Sequence, residues 1–391
     1  LAAWVTGTSA LTCVGGNADA LWRAAEQGVS GLKNGLGMIP DSVIEQSRAE
    51  FRENPAFAKT KLPESRSKEL ALIAFEQALR SAGWSGLNEN DGLILATTTG
   101  QIPVWDKALT SYLRKTLSKE EFIAAFEHQP LGNLLSSLSE ATGFSGRQLL
   151  ISSACSASTQ ALAIASMWLE QGLVERCIVG GIEVLCDLTV QGFSCLQLLS
   201  QQASKPFDAY RSGINLAEGA AFLCLEKQSS ERSQARLTGY GMTSDGYHMT
   251  APHPEGKGCF LAMKSALNVA DIELDQIDWI HAHGTGSTHN DQAEAAAIRT
   301  LYADQGVVLP WVSSSKWVHG HALGASGIVE SVLCIEALKR QTILKTHGLE
   351  TPDPSLALKH PNSNMKAPLR HILKNTLGFG GTNAALVWSQ T

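Results

Sequence analysis

The stretch Leu149–Leu169, read as LLISSACSASTQALAIASMWL, carries no charged residue. It opens as an apolar run of strand length, breaks at small hydroxyl residues and continues with helical spacing. A strand–turn–helix unit is therefore expected, its helix buried on all sides because it has no face to offer water. A membrane span is the other reading of such a run. Ser152, Ser153, Ser156, Ser158, Thr159 and Gln160 crowd one end of it, which a lipid core would penalise. Cys155 falls at the strand-to-helix turn, where unpaired backbone N–H groups and the helix dipole favour a thiolate. Free cysteine is also among the most buried residue types, so position alone does not make it a nucleophile.

The rest of the chain sets the scale around this unit. Its 391 residues exceed most single domains, so two domains or one fused pair of similar halves is expected. A net charge of -6 disfavours a nucleic-acid partner. Eight cysteines lie scattered in apolar surroundings without a CxxC pair, which suits reduced thiols in a cytoplasmic protein. No signal peptide is visible, and the sequence is expected to begin inside a first strand, Leu1 to Thr6.

Strand and helix patterns alternate along both halves. In the first, strands are expected at 92–98, 176–181 and 220–226, with helices at 17–27, 66–82 and 134–142. Residues 28–62 and 184–204 read as irregular, and 101–131 as an insertion with helical spacing. Lys227 to Arg236 is the one charged stretch that could divide the halves, giving 1–234 and 235–391. Beyond it strands are expected at 235–241, 277–282, 310–314, 371–376 and 384–388, and helices at 260–269, 292–302 and 325–338. Such alternation implies parallel or mixed sheets covered by helices. The uncharged helix after Cys155 has a partner in the Gly- and Ala-rich helix after His321. Two central helices between two sheets would make a five-layered α/β/α/β/α body. The opening strand and Gly-rich loop lack GxGxxG spacing, so a dinucleotide site is not expected.

Three further clusters carry chemistry. Trp279-Ile-His281-Ala-His283-Gly-Thr285-Gly-Ser287 ends a strand in a loop of small and hydroxyl residues, with Asp291 and Glu294 beyond it. Lys316-Trp-Val-His319-Gly-His321 runs from strand to loop to helix. Gly378-Phe379-Gly380-Gly381 is a glycine turn between two strands, unlike a phosphate-cradling loop, which precedes a helix. Loops at strand ends are where open α/β sheets collect catalytic groups. His281 with His283, or His319 with His321, plus Asp291 would also suit a metal, although no HExxH pattern accompanies them.

Together these residues resemble the motif set of the β-ketoacyl-acyl carrier protein synthases. Ser-Ala-Cys155-Ser-Ala, Ala-His283-Gly-Thr-Gly-Ser, Lys316-Trp-Val-His-Gly-His321-Ala-Leu-Gly-Ala-Ser-Gly and Gly378-Phe-Gly-Gly-Thr-Asn383 match the Cys-His-His branch, types I and II. Pro206-Phe-Asp208, Arg211, Ala217-Glu-Gly219 and Gly241 to Thr250 extend the likeness over nearly the whole chain. The resemblance implies a thiolase-like five-layered fold of two similar halves, and decarboxylative condensation of malonyl-acyl carrier protein with an acyl group.

It also assigns roles. Cys155 would take the acyl group, and the backbone N–H groups of Cys155 and Phe379 would form the oxyanion hole. His283 and His321 would bind the malonyl thioester carbonyl and stabilise the enolate. Lys316 would orient the histidines, with Glu294 as its ion-pair partner. Thr285 and Ser287 would contact the pantetheine arm. Phe379 would gate the acyl pocket, and Phe193 and Gly380 would lie against substrate. No metal, flavin or nicotinamide is implied. The implied partners are an acyl carrier protein, malonyl and acyl thioesters, and a second copy in a homodimer. That dimer would form through the strand beside the Cys155 helix. The basic cluster Lys59, Lys61, Arg66 and Lys68 would steer the acidic carrier. Departures from the family pattern at Leu377, Ser212, His319 and Thr97–Ile102 leave chain length and pathway open. Two alternatives remain: a non-catalytic chain-length-setting subunit, which usually lacks the nucleophile, and a coenzyme A-dependent thiolase-fold enzyme, which would want asparagine at position 321.

Overall fold

The computed structural model describes residues 2–303 and 305–391; Leu1, expected to open the first strand, lies outside them. The first half contributes β1 (Ala3–Thr12), α1 (Ala18–Gln27), α2 (Asp41–Glu53), α3 (Arg66–Ala82), β2 (Asp91–Ala96), α4 (Ile102–Leu113), α5 (Lys119–Ala125), α6 (Gly132–Thr142), β3 (Arg147–Ile151), α7 (Ala157–Glu170), β4 (Arg176–Glu183), α8 (Asp187–Cys195) and β5 (Gly219–Glu226). The second adds β6 (Ala235–Ser244), α9 (Lys257–Ala270), β7 (Trp279–His281), α10 (Thr288–Tyr302), β8 (Trp311–Ser313), α11 (Lys316–His319), α12 (Ser326–Arg340), β9 (Thr342–Ile343), β10 (Met365–Lys366), β11 (His371–Gly378) and β12 (Thr382–Ser389).

The sheet order β3-β2-β4-β5-β1-β6-β12-β11-β7-β8 contains an internal repeat. Numbered within its own half, each set of five runs third, second, fourth, fifth, first from the outer edge inward. The pairing senses repeat as well: parallel for the outer three strands, antiparallel for the rest. The two sheets expected from the sequence are these two sets, and they join edge to edge. Ala3–Val5 of β1 pairs with Ala235–Leu237 of β6. Past a register shift between Val5 and Gly7, β1 continues along β5 alone. Gly7 has no room for a side chain, since a Cβ there would lie 2.3 Å from the carbonyl oxygen of Ala78 in α3.

Layers follow from which face each strand residue presents. Val179, Leu386 and Trp388 join Ala161 and Val332 in a central core fed by both halves and by α7 and α12. Their strand neighbours point the other way. Ile178 packs with Phe75 and Phe222 under α3, and Val387 with Met263 and Ile280 under α9. Helix α7, uncharged before its last residue Glu170, packs against α12 and strands of both halves, but Gln160, Ile164, Met167 and Trp168 form a half-buried stripe, which corrects the expectation of burial on all sides. Small residues let the central pair approach, since a Cβ on Gly327 would meet the hydroxyl of Thr159 at 2.1 Å.

Two helices arise where irregular chain is expected. α2 buries only Ile44, Ser47 and Phe51, a narrow stripe in a polar segment. α8 buries no residue fully, so its sequence lacks the apolar period that marks a packed helix.

Candidate active site

Cys155 follows β3 through a tight turn in which Ala154 adopts φ +49°. Hydroxyls tie this turn to the glycine turn after β11. Ser156 Oγ donates to the carbonyl of Ser153 at 2.9 Å, and Thr382 Oγ1 donates to the same carbonyl at 3.0 Å. The thiol therefore has a fixed position, with Sγ 3.1 Å from Nε2 of His321 and the N–H of Phe379 directed at it. Burial pushes the Cys155 thiol up to about 11, with Lys316 and that N–H pulling the other way. This corrects the expectation of a thiolate activated by its helix start. Desolvation here opposes the thiolate, and the thiol lies in hydrogen-bond contact with the His321 imidazole.

His321 stands between α11 and α12 with its Nδ1 2.8 Å from Ser326 Oγ. That hydroxyl can donate or accept, so either imidazole tautomer is supported. His283 lies on the loop after β7, its ring 5.1 Å from that of His321 in an edge-on arrangement. Lys316 Nζ donates to the carbonyl of His283 at 2.5 Å and lies 3.3 Å from Nδ1 of the same residue. An ammonium only donates, so His283 Nδ1 accepts and the ring proton sits on Nε2. Burial holds both imidazoles well below the usual histidine range, with the Lys316 charge lowering them further.

The acidic partner of Lys316 is Glu330 on α12, and the assignment to Glu294 is corrected. Glu294, on α10, faces the backbone of the His283 loop. Its two carboxylate oxygens accept from the N–H groups of His283 at 2.7 Å and Gly284 at 2.8 Å. Asn375 Nδ2 is a third donor at 3.2 Å. Burial raises the Glu294 carboxyl to about 7. Glu330 is held well below the carboxylate range: burial opposes this, but Lys316 and Lys374 prevail. Sequence reasoning misses Glu330 and Lys374, although each leaves a trace. Glu330 interrupts an apolar helix, and Lys374 is a lone cation in a buried strand.

Cys155, His283, His321, Thr285, Ser287 and Phe193 share one cavity of about 580 Å³ including its mouth, and Phe379 lines it as well. A second cavity of about 910 Å³ including its open mouth also reaches Cys155 and is lined by Thr98, Thr99, Leu188 and Leu196. The rings of Phe193 and Phe379 line both and stack at 5.4 Å and 15°. Gly380 lines neither, contrary to its expected place against substrate. It takes φ +76° and donates its N–H to the carbonyl of Met249 at 2.7 Å. The histidines proposed as metal ligands are otherwise engaged. Ser315 Oγ bridges His281 Nε2 at 3.1 Å and His319 Nε2 at 2.9 Å, and Asp291 accepts from the N–H of Phe207 at 2.8 Å. Among the described residues no three metal-ligating side chains converge.

A buried cysteine from the first half and two histidines from the second thus meet in one cavity of a doubled α/β body. The N-terminal domain of beta-ketoacyl synthase matches residues 3–231, and the C-terminal domain matches 234–350. 3-oxoacyl-[acyl-carrier-protein] synthase 2 of Coxiella burnetii is 30% identical over 407 residues, covering 99% of this chain and 98% of the relative. Among solved structures, a beta-ketoacyl synthase from Burkholderia phymatum superposes with a TM-score of 0.82 at 25% identity, covering 100% and 99% of the two chains. A type II polyketide ketosynthase in complex with its acyl-carrier protein gives 0.86, with the same identity and coverage. The chain belongs to the β-ketoacyl synthase family. It has the thiolase-like fold and is an acyltransferase of fatty-acid or polyketide chain elongation.

Proposed function

We propose that this chain joins an acyl group held on Cys155 to the two-carbon unit of a malonyl-acyl carrier protein. The observation that carries this is the approach of Cys155 Sγ, His321 Nε2 and the His283 ring around one cavity. In the first half-reaction Sγ attacks the acyl thioester carbonyl as its proton passes to His321 Nε2. The oxyanion sits between the N–H groups of Cys155 and Phe379. The C–S bond of the donor breaks, and the proton goes from His321 to the departing carrier thiol. In the second, His321 takes its other tautomer, with Nδ1 accepting from Ser326 Oγ, and the Nε2–H groups of His283 and His321 bind the malonyl thioester carbonyl. The bond to the carboxylate breaks, carbon dioxide leaves, and the enolate carbon attacks the acyl-cysteine. The bond from the acyl carbon to Sγ breaks, and the Cys155 thiolate takes up one proton from solvent, returning the thiol. Thr285 and Ser287 support the pantetheine arm, and the acyl chain occupies the second cavity. The half 1–234 supplies the nucleophile; 235–391 supplies the histidines, Lys316 and Glu294.

A cytoplasmic homodimer served by an acyl carrier protein fits this reading. β3 lies at one edge of the sheet, and Leu188 and Leu196 are 50% and 48% exposed at the second cavity, an apolar surface that a second copy would cover. No helix among the described residues is long and apolar enough to cross a membrane. A chain-length-setting subunit is the weaker reading, because Cys155 and both histidines are in place.

The test separates the half-reactions. His283→Ala should still acquire an acyl group on Cys155, while malonyl decarboxylation falls on the order of 10²-fold or more. Decarboxylation at the wild-type rate would refute the role of His283.

A further inference from the structure

Behind the paired histidines the core buries one negative charge between two positive ones. Glu330 of α12 pairs with Lys316 through one oxygen, and its other oxygen is 3.0 Å from Nζ of Lys374 on β11. All three side chains are at most 1% exposed. Lys374 also contacts Thr376 Oγ1 and lies 3.4 Å from Thr159 Oγ1. The titratable groups facing it are Glu330 and Cys334 on α12, Lys316 and His319 on α11, and His281, its register partner on β7. A lysine–glutamate pair alone would tie α11 to α12. A second buried ammonium without its own counter-ion is costly, and an uncharged side chain at 374 would avoid that cost.

The surplus cation stands where the proposed reaction handles negative charge. The malonyl donor arrives as a carboxylate, and its carbonyl oxygen becomes an enolate beside His283. Lys316, which shares Glu330 with Lys374, is the group that fixes the His283 tautomer. The acyl donor of the first half-reaction is a neutral thioester and makes no such demand.

We propose that Lys374 is a positioning residue for the malonyl half-reaction. It clamps Glu330 against Lys316 and leaves the histidine pair in a net positive field that favours the anionic donor. The proposal rests on the condensation described above. That reading fails separately if the wild-type protein takes no acyl group on Cys155.

The test uses the full chain with Lys374→Met, which keeps length and removes charge. Two assays are run: self-acylation of Cys155 by a neutral acyl thioester, and decarboxylation of malonyl-carrier protein across pH. The first should change by less than about threefold and the second should fall on the order of tenfold in kcat. The acidic limb of decarboxylation should move up in pH, because the Lys374 charge is among those that keep both imidazoles unprotonated. If Lys374→Met does not fold, Lys374→Gln, which keeps polar contacts without charge, is read in the same way. Equal losses in both assays, or an unmoved limb, would overturn the assignment.

Discussion

Cys155 Sγ and His321 Nε2 lie 3.1 Å apart although 166 positions separate them in the chain. The contact joins a thiol raised to about 11 by burial to an imidazole that burial keeps unprotonated. The histidine is thus a base waiting for a proton, and the thiol surrenders it only when a substrate carbonyl arrives. Alkylation of Cys155 by iodoacetamide should therefore speed up with pH to about pH 9 or beyond without levelling. A plateau below about pH 8 would mean a preformed thiolate.

Malonyl decarboxylation should show no acidic limb at the ordinary histidine value. His283 and His321 act as neutral Nε2–H donors, and their folded pKa values lie well below 6.5. A depressed pKa leaves the neutral form populated above the folded value, and it is lost as pH falls through that value. The decarboxylation profile should stay flat down to about pH 6. A limb centred near pH 6.5 would contradict the buried, neutral pair.

Glu294 acts on the loop rather than on a cation. Glu294→Ala strands the buried N–H groups of His283 and Gly284, at a cost of about 2 kcal/mol or more in unfolding free energy. Decarboxylation should fall with it, and Glu294→Gln, which keeps one acceptor, should fall between. The carboxyl is raised from 4.5 to about 7, so the stability it contributes is full below 4.5 and lost as pH rises through about 7. The glutamine variant should lack that decline. Denaturant unfolding at several pH values measures both effects.

The basic cluster proposed for carrier docking divides on inspection. Arg66 is half-buried and already engaged, its guanidinium 2.7 Å from the fully buried carboxylate of Glu218 and donating to the carbonyl of Ile39. Arg66→Glu should cost about 3 kcal/mol of stability and injure turnover of every substrate. Lys59 and Lys61 are exposed and Lys68 is half-buried. Charge reversal at Lys61 and Lys68 should raise KM for carrier-bound substrate, reduce its salt dependence and spare a small pantetheine thioester. Equal effects on both substrates would remove these lysines from the docking surface.

The sequence carried most of the layered body because buried strands and helices leave an apolar period that survives without a structure. α7 was legible from helical spacing in a run with no charge before Glu170. α2 and α8 were not, because three buried residues in the one and none in the other leave almost no period. Cys155, His283 and His321 stood out as reactive types at strand ends. The partner of Lys316 did not, since Glu294 and Glu330 both follow the histidine loops on helices. Only the packing of α10 and α12 around α11 decides which carboxylate reaches the ammonium. Desolvation of Cys155 depends on how tightly the two turns close over it, which residue spacing does not encode.

The central claim is that Cys155 carries the growing chain. The most direct measurement is the intact mass of the protein after incubation with acyl-carrier protein, followed by peptide mapping. The account predicts one added acyl group, located on the peptide containing Cys155 and absent from Cys155→Ala, with the added mass lost again when malonyl-carrier protein is supplied. An acyl group on any of the other seven cysteines, or retained in Cys155→Ala, would contradict it.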